Sequence, residues 1–84
     1  MAHKTEEFYI EVSSLDRTLM VNHVQLNKKQ FNDMKSDLEY YDYVNCEKQV
    51  IETKRTVHEL FIYNYQDTRI VLTHYYAKYG YVLE

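Results

Sequence analysis

Proline is absent from this 84-residue chain, and glycine and cysteine occur once each, as Gly80 and Cys46. A single glycine excludes the glycine-rich loops that cradle phosphates, because those turns need several residues whose backbone can approach a ligand or take positive φ. A single cysteine excludes an intramolecular disulfide, and small domains of oxidising compartments usually carry several. No stretch approaches the roughly 18 consecutive apolar residues of a membrane-spanning helix, and the first residues turn acidic where a secretion signal would be apolar. A cytoplasmic protein that does not enter a membrane is expected.

What is present is an ordinary globular balance with one excess. Hydrophobic residues make up 45% of the chain and charged ones 27%, which argues against disorder. The excess is tyrosine, ten in all, a side chain with a large apolar body and a polar tip that suits half-wet surfaces. The formal charge of −3 has the wrong sign for a protein held mainly by phosphates. The surplus acid lies in residues 1–42, which hold eight carboxylates against five cations, while residues 43–84 hold five of each.

Along the chain, residues 7–12 alternate with period two, with Phe8, Ile10 and Val12 on one face and Glu7, Tyr9 and Glu11 on the other. Residues 18–26 are again β-prone, so the two segments predict an antiparallel hairpin. Parity is broken in the second: Leu19 and Val21 point one way, Met20, Val24 and Leu26 the other. That pattern needs either two covered faces or a bulge. Asn27 then offers an N-cap, Gln30 the reciprocal member of a capping box, and Leu26 a staple onto Phe31. Phe31, Met34, Leu38 and Tyr41 follow on one stripe of a helix that should fade near Asp42.

Strand chemistry returns at residues 49–53, 56–64 and 69–76, with residues 81–83 a further candidate and Tyr65-Gln66-Asp67-Thr68 the expected hairpin loop. Nothing of the Gly, Pro or Asn type marks a turn at Lys54-Arg55, so one bent strand or two remain equally open there. The expectation is a single α+β domain spanning 1–84. It has a small antiparallel sheet with one helix packed on a face, in the order β-β-α-β-β, with room for one or two further C-terminal strands.

Catalytic chemistry is hard to find. His23, Cys46, His58 and His74 lack the short spacings of zinc motifs, and nothing lowers the thiol pKa of Cys46, so neither a metal site nor a cofactor is expected. Two constellations suggest binding instead. On the helix, Tyr40 falls opposite the apolar stripe with Asp33 and Asp37 beside it. The helix charges run against its dipole, Lys28 and Lys29 at the positive end and Glu39 and Asp42 at the negative one. Near the C-terminus, Tyr75, Tyr76, Tyr79 and Tyr81 cluster within seven residues. Tyrosine is enriched in interface hot spots and also stacks on unpaired bases.

In composition alone, a short, proline-free chain rich in tyrosine, lysine and acid resembles the accessory proteins of bacteriophages and other mobile elements. Many of those bind and block one host protein. The leading expectation is a non-enzymatic protein-binding module, an inhibitor or nucleic-acid mimic in one version. Its contact residues would be Asp33, Asp37, Glu39, Tyr40, Asp42, Tyr75 and Tyr79, its partner a protein with a basic surface, and its own state a homodimer. The alternative is a small dimeric nucleic-acid-binding or regulatory domain using Lys54, Arg55 and Arg69.

Overall fold

A computed structural model of the chain describes residues 4–83. The elements are β1 (Glu6–Ser14), β2 (Met20–Leu26), α1 (Lys28–Tyr40), β3 (Asn45–Glu52), β4 (Thr56–Tyr65) and β5 (Thr68–Ala77). All five strands join one antiparallel sheet in the spatial order β2-β1-β5-β4-β3. The chain order is therefore β-β-α-β-β-β, one strand more than the minimal β-β-α-β-β pattern, and the added strand β5 is the middle of the sheet. Residues 81–83 do not form the further strand. Gly80, at φ +89, turns the chain after β5 in a conformation that other residues rarely adopt. Leu83 then donates its backbone N–H to the carbonyl of Lys4 at 2.9 Å.

The broken parity of the second strand resolves as a bulge. Phe8 pairs with Leu26, Ile10 with Val24 and Val12 with Val21, so Asn22 and His23 together oppose Glu11. His23, the second residue of the bulge, takes a left-handed φ of +33. The extra residue brings Val21, Val24 and Leu26 onto the same face, the one that α1 covers. The open question at Lys54-Arg55 also has a side-chain answer. The Thr53 hydroxyl accepts from the backbone N–H of Arg55 at 3.3 Å and of Thr56 at 3.0 Å. A hydroxyl closes the turn where no glycine or asparagine is present, giving two strands.

At α1 the capping box forms as its residues predict: Asn27 accepts from the Gln30 N–H at 2.8 Å, and Gln30 accepts from the Asn27 N–H at 2.9 Å. Leu26 and Phe31 are both buried in the core, as a staple requires. Because β2 and β3 are opposite edges of the sheet, the helix joining them must cross its whole width. Thirteen residues at about 1.5 Å give roughly 20 Å, close to the ~19 Å spanned by the four gaps between five strands. Helix length and sheet width match.

Under the helix lies one cluster of Phe8, Leu26, Phe31, Tyr63 and Leu72, extended by Ile10, Met34, Leu38, Val44, Phe61 and Ile70. Leu72, at the centre of β5, is 0% exposed. The cations set against the helix dipole find local partners: Lys29 pairs with Asp33 at 2.9 Å and Lys28 lies 3.9 Å from Glu6. Their unfavourable end of the dipole is offset by nearby carboxylates. The opposite face of the sheet is a shallow trough of about 260 Å³ lined by Glu11, Leu60, Ile62, Arg69 and Val71 among others.

Candidate interaction surface

The apolar stripe of α1 stops at Leu38. Tyr41, which continues it in sequence, is the C-cap with extended angles (φ −97, ψ 122) and is exposed rather than buried in the core. Its carbonyl accepts from Val44 at 3.2 Å, a tight turn that leads directly into β3. The turn throws three rings outward in succession. Tyr40 meets Tyr41 edge-on with centroids 5.1 Å apart, and Tyr41 meets Tyr43 at 5.3 Å. The fourth ring comes from far along the chain. The β3–β4 register pairs Asn45 with Asn64, so Tyr65 arrives beside the α1–β3 turn, its ring 5.0 Å from that of Tyr43.

These four rings form a continuous aromatic chain at one end of the molecule. All four are exposed, Tyr40 most of all at 78%. Beneath them opens a cleft of about 260 Å³ lined by Leu38, Val44, Tyr63 and Ile70 together with Tyr41, Tyr43 and Tyr65. Its wall is held by a polar tie. The Tyr63 hydroxyl, on a side chain only 1% exposed, donates to Glu39 at 2.5 Å, and Lys35 donates to the same carboxylate at 2.8 Å. The Lys35 bond, then the Tyr63 bond, holds the Glu39 carboxyl below its ordinary value. Burial, followed by the hydrogen bond to that carboxylate, raises the Tyr63 phenol.

The seven expected contact residues do not share one surface. Asp33 is exposed but paired with Lys29, and Glu39 is turned to Lys35 and Tyr63 as part of the helix anchor. Asp37 and Asp42 are exposed and make no ion pair or side-chain hydrogen bond among the described residues. They flank Tyr40 in sequence by three and two residues. Tyr75 lies on the other face of the sheet, stacked on His58 at 4.2 Å. On that same face the Tyr9 hydroxyl donates to Glu7, a bond that pushes the phenol up to about 12. Tyr79 stands fully exposed in the tail after β5.

Nor do the other candidate groups converge. His74 sits on the helix side between Glu6 at 2.9 Å and Glu59 at 3.4 Å and stacks on Phe8, whereas His58 faces the opposite side. His23 occupies the β2 bulge and Cys46 is exposed on β3. Among the described residues, no group of three His, Cys, Asp or Glu side chains is placed to hold a metal ion. Lys54 and Arg55 lie in the β3–β4 turn, while Arg69 starts β5 beside Asn64 at the far end of the strands, so these cations make no common groove. No described helix is long and apolar enough to cross a membrane.

Sequence reasoning found Tyr40 and missed its three neighbours. The run Tyr40-Tyr41-Asp42-Tyr43 was visible as a signal, but Tyr41 fitted the apolar stripe and was assigned to the core. Tyr65 gave no local signal at all, because only strand pairing brings it to the site. Compared with protein-family models, curated proteins and solved structures, the chain matches none.

Proposed function

We propose that this protein is a non-enzymatic binding module whose contact surface is the aromatic end formed by Tyr40, Tyr41, Tyr43 and Tyr65, and whose partner is a protein bearing a basic patch. One observation carries the reading: four exposed tyrosines form a chain of rings, each touching the next at 5.0–5.3 Å, and three of them, Tyr41, Tyr43 and Tyr65, line an apolar cleft. Tyrosine contributes large contact area at small entropic cost, and rings already packed on one another lose little further freedom on binding. The charge of the partner follows from the acids beside the rings. Among the described residues neither Asp37 nor Asp42 is paired with a cation, so a basic patch would gain from both without first breaking an ion pair.

The division of labour is testable. The carboxylates should govern association and its salt dependence, and the rings should govern residence time. A photo-crosslinking residue placed at Tyr43, expressed in the cell that makes the protein, should capture one dominant species. The same residue at Tyr79 should not. Adding Asp37→Asn and Asp42→Asn should diminish capture at position 43. Equal capture from both positions, or capture indifferent to the two acids, would overturn the proposal.

A further inference from the structure

The two edges of the sheet are not alike. The β2 edge is interrupted by the bulge at Asn22-His23, which twists a strand away from regular pairing. The β3 edge is eight residues long, every residue of it is exposed, and its register with β4 runs unbroken from Asn45↔Asn64 to Glu52↔Val57. Val50 and Ile51 stand exposed on its two faces. It has neither proline nor bulge nor covering loop, and of the devices that usually blunt an edge it keeps only charged side chains, Glu47, Lys48 and Glu52.

Backbone alternation identifies which groups of β3 are unpaired. Thr53 donates to the Thr56 carbonyl at 2.9 Å, so Thr53 belongs to a hydrogen-bonded pair of the β3–β4 ladder. In an antiparallel ladder such pairs alternate. Residues 51, 49 and 47 therefore point their backbone groups toward β4, and Cys46, Lys48, Val50 and Glu52 point theirs outward. By the same parity their side chains lie on the helix side, since Lys48 pairs with Phe61 and Cys46 with Tyr63.

We propose that two copies of this chain join through β3, antiparallel about a two-fold axis, with Val50 opposite Val50 of the second copy. An antiparallel pair places side chains of one face opposite each other, so only registers that match residues of like parity are allowed. Among these, the Val50 register sets Lys48 against Glu52 of the second copy, twice by symmetry, with two apolar valines between the two ion pairs. Shifting it one step toward the N-terminus sets Lys48 against Val50, and a second step sets Lys48 against itself. Shifting one step the other way sets Lys48 against Lys54. The edge is thus self-complementary in one register and mismatched in its neighbours. Lys48 also meets Glu59 at 3.1 Å and Glu52 meets Lys78 at 2.8 Å, but both side chains are at least half exposed and open to a second partner. The result is one continuous sheet with five strands from each copy.

Analytical ultracentrifugation tests this with the full chain. The native protein should sediment at twice 10.3 kDa at micromolar concentration and above. Val50→Pro removes an outward N–H that the monomer does not use, so it should keep the native circular dichroism and run as a monomer. Lys48→Glu and Glu52→Lys should each weaken self-association, and an equimolar mixture of the two should restore a dimer, because each chain then faces opposite charges. A native protein that stays monomeric, a folded Val50→Pro variant that stays dimeric, or a mixture that fails to restore association overturns the proposal. Should Val50→Pro not fold, the mixture decides.

Discussion

Replacing Tyr63 with Phe removes one oxygen from the centre of the molecule and leaves the ring in place, which makes it a clean probe of how α1 is held over the sheet. The hydroxyl donates to Glu39 at 2.5 Å across the gap between β4 and the last turn of the helix. A hydrogen bond to a charged group contributes about 1.5–3 kcal/mol. Here the carboxylate is partly exposed and shared with Lys35, so the loss should fall near about 1–2 kcal/mol. For a domain of this size that corresponds to a fall in Tm of roughly 4–15 °C. The effect should depend on pH. Glu39 has a folded-state value below its ordinary 4.5. Its contribution is therefore complete above about 4.5 and is lost as pH falls through the lower folded value. The native protein and Tyr63→Phe should thus converge in stability on acidification. At the alkaline end the sign is reversed. The folded value of Tyr63 lies above the ordinary 10.0, so the native protein should lose stability as pH rises beyond 10, and the Phe variant should not share that part of the loss. Thermal melts by circular dichroism at pH 7, 3 and 10.5 measure all three. Equal melting of the two proteins at pH 7, or a deficit that persists undiminished in acid, would refute the tie.

Asn27→Ala removes the side-chain half of the capping box, the bond that the Asn27 amide oxygen accepts from the Gln30 N–H, and should cost about 0.5–2 kcal/mol in urea unfolding at constant m-value; an unmoved midpoint would mean that the cap is idle. Gln66 holds a left-handed φ of +51 in the β4–β5 turn, so Gln66→Gly should relieve strain and raise stability by up to about 1 kcal/mol, with a lower Tm as the contrary result. Leu38→Asp places a carboxylate against the cluster beneath α1 and should abolish cooperative melting, whereas a native melt would show that another face of the helix meets the sheet.

Much of the local architecture was written in single residues. Asn27, Gln30, Leu26 and Phe31 determine where α1 begins, because a cap and a staple act within one turn and need nothing from the rest of the chain. The strict alternation of residues 7–12 determines which face of β1 is buried. The irregular parity around Val21 and Val24 left either two covered faces or a bulge, and the register shift shows the bulge. These signals are legible because their causes are local: steric preference, hydrogen bonding within a few residues, and burial of one face.

Pairing across long separations was decided by tertiary structure. Nothing in β5 distinguishes a central strand from an edge, yet it lies between β1 and β4 and carries the fully buried Leu72. The candidate site follows the same division. Tyr40 announced itself by facing away from the apolar stripe, but the aromatic end exists because the β3–β4 register returns Tyr65 to Tyr43 across 22 residues of chain. The same geometry turned Glu39 inward to Tyr63 and separated Tyr75 from the helix by the thickness of the sheet. Sequence fixes what each side chain can offer; which offers meet depends on register, since a strand shifted by one residue sends every side chain to the other face.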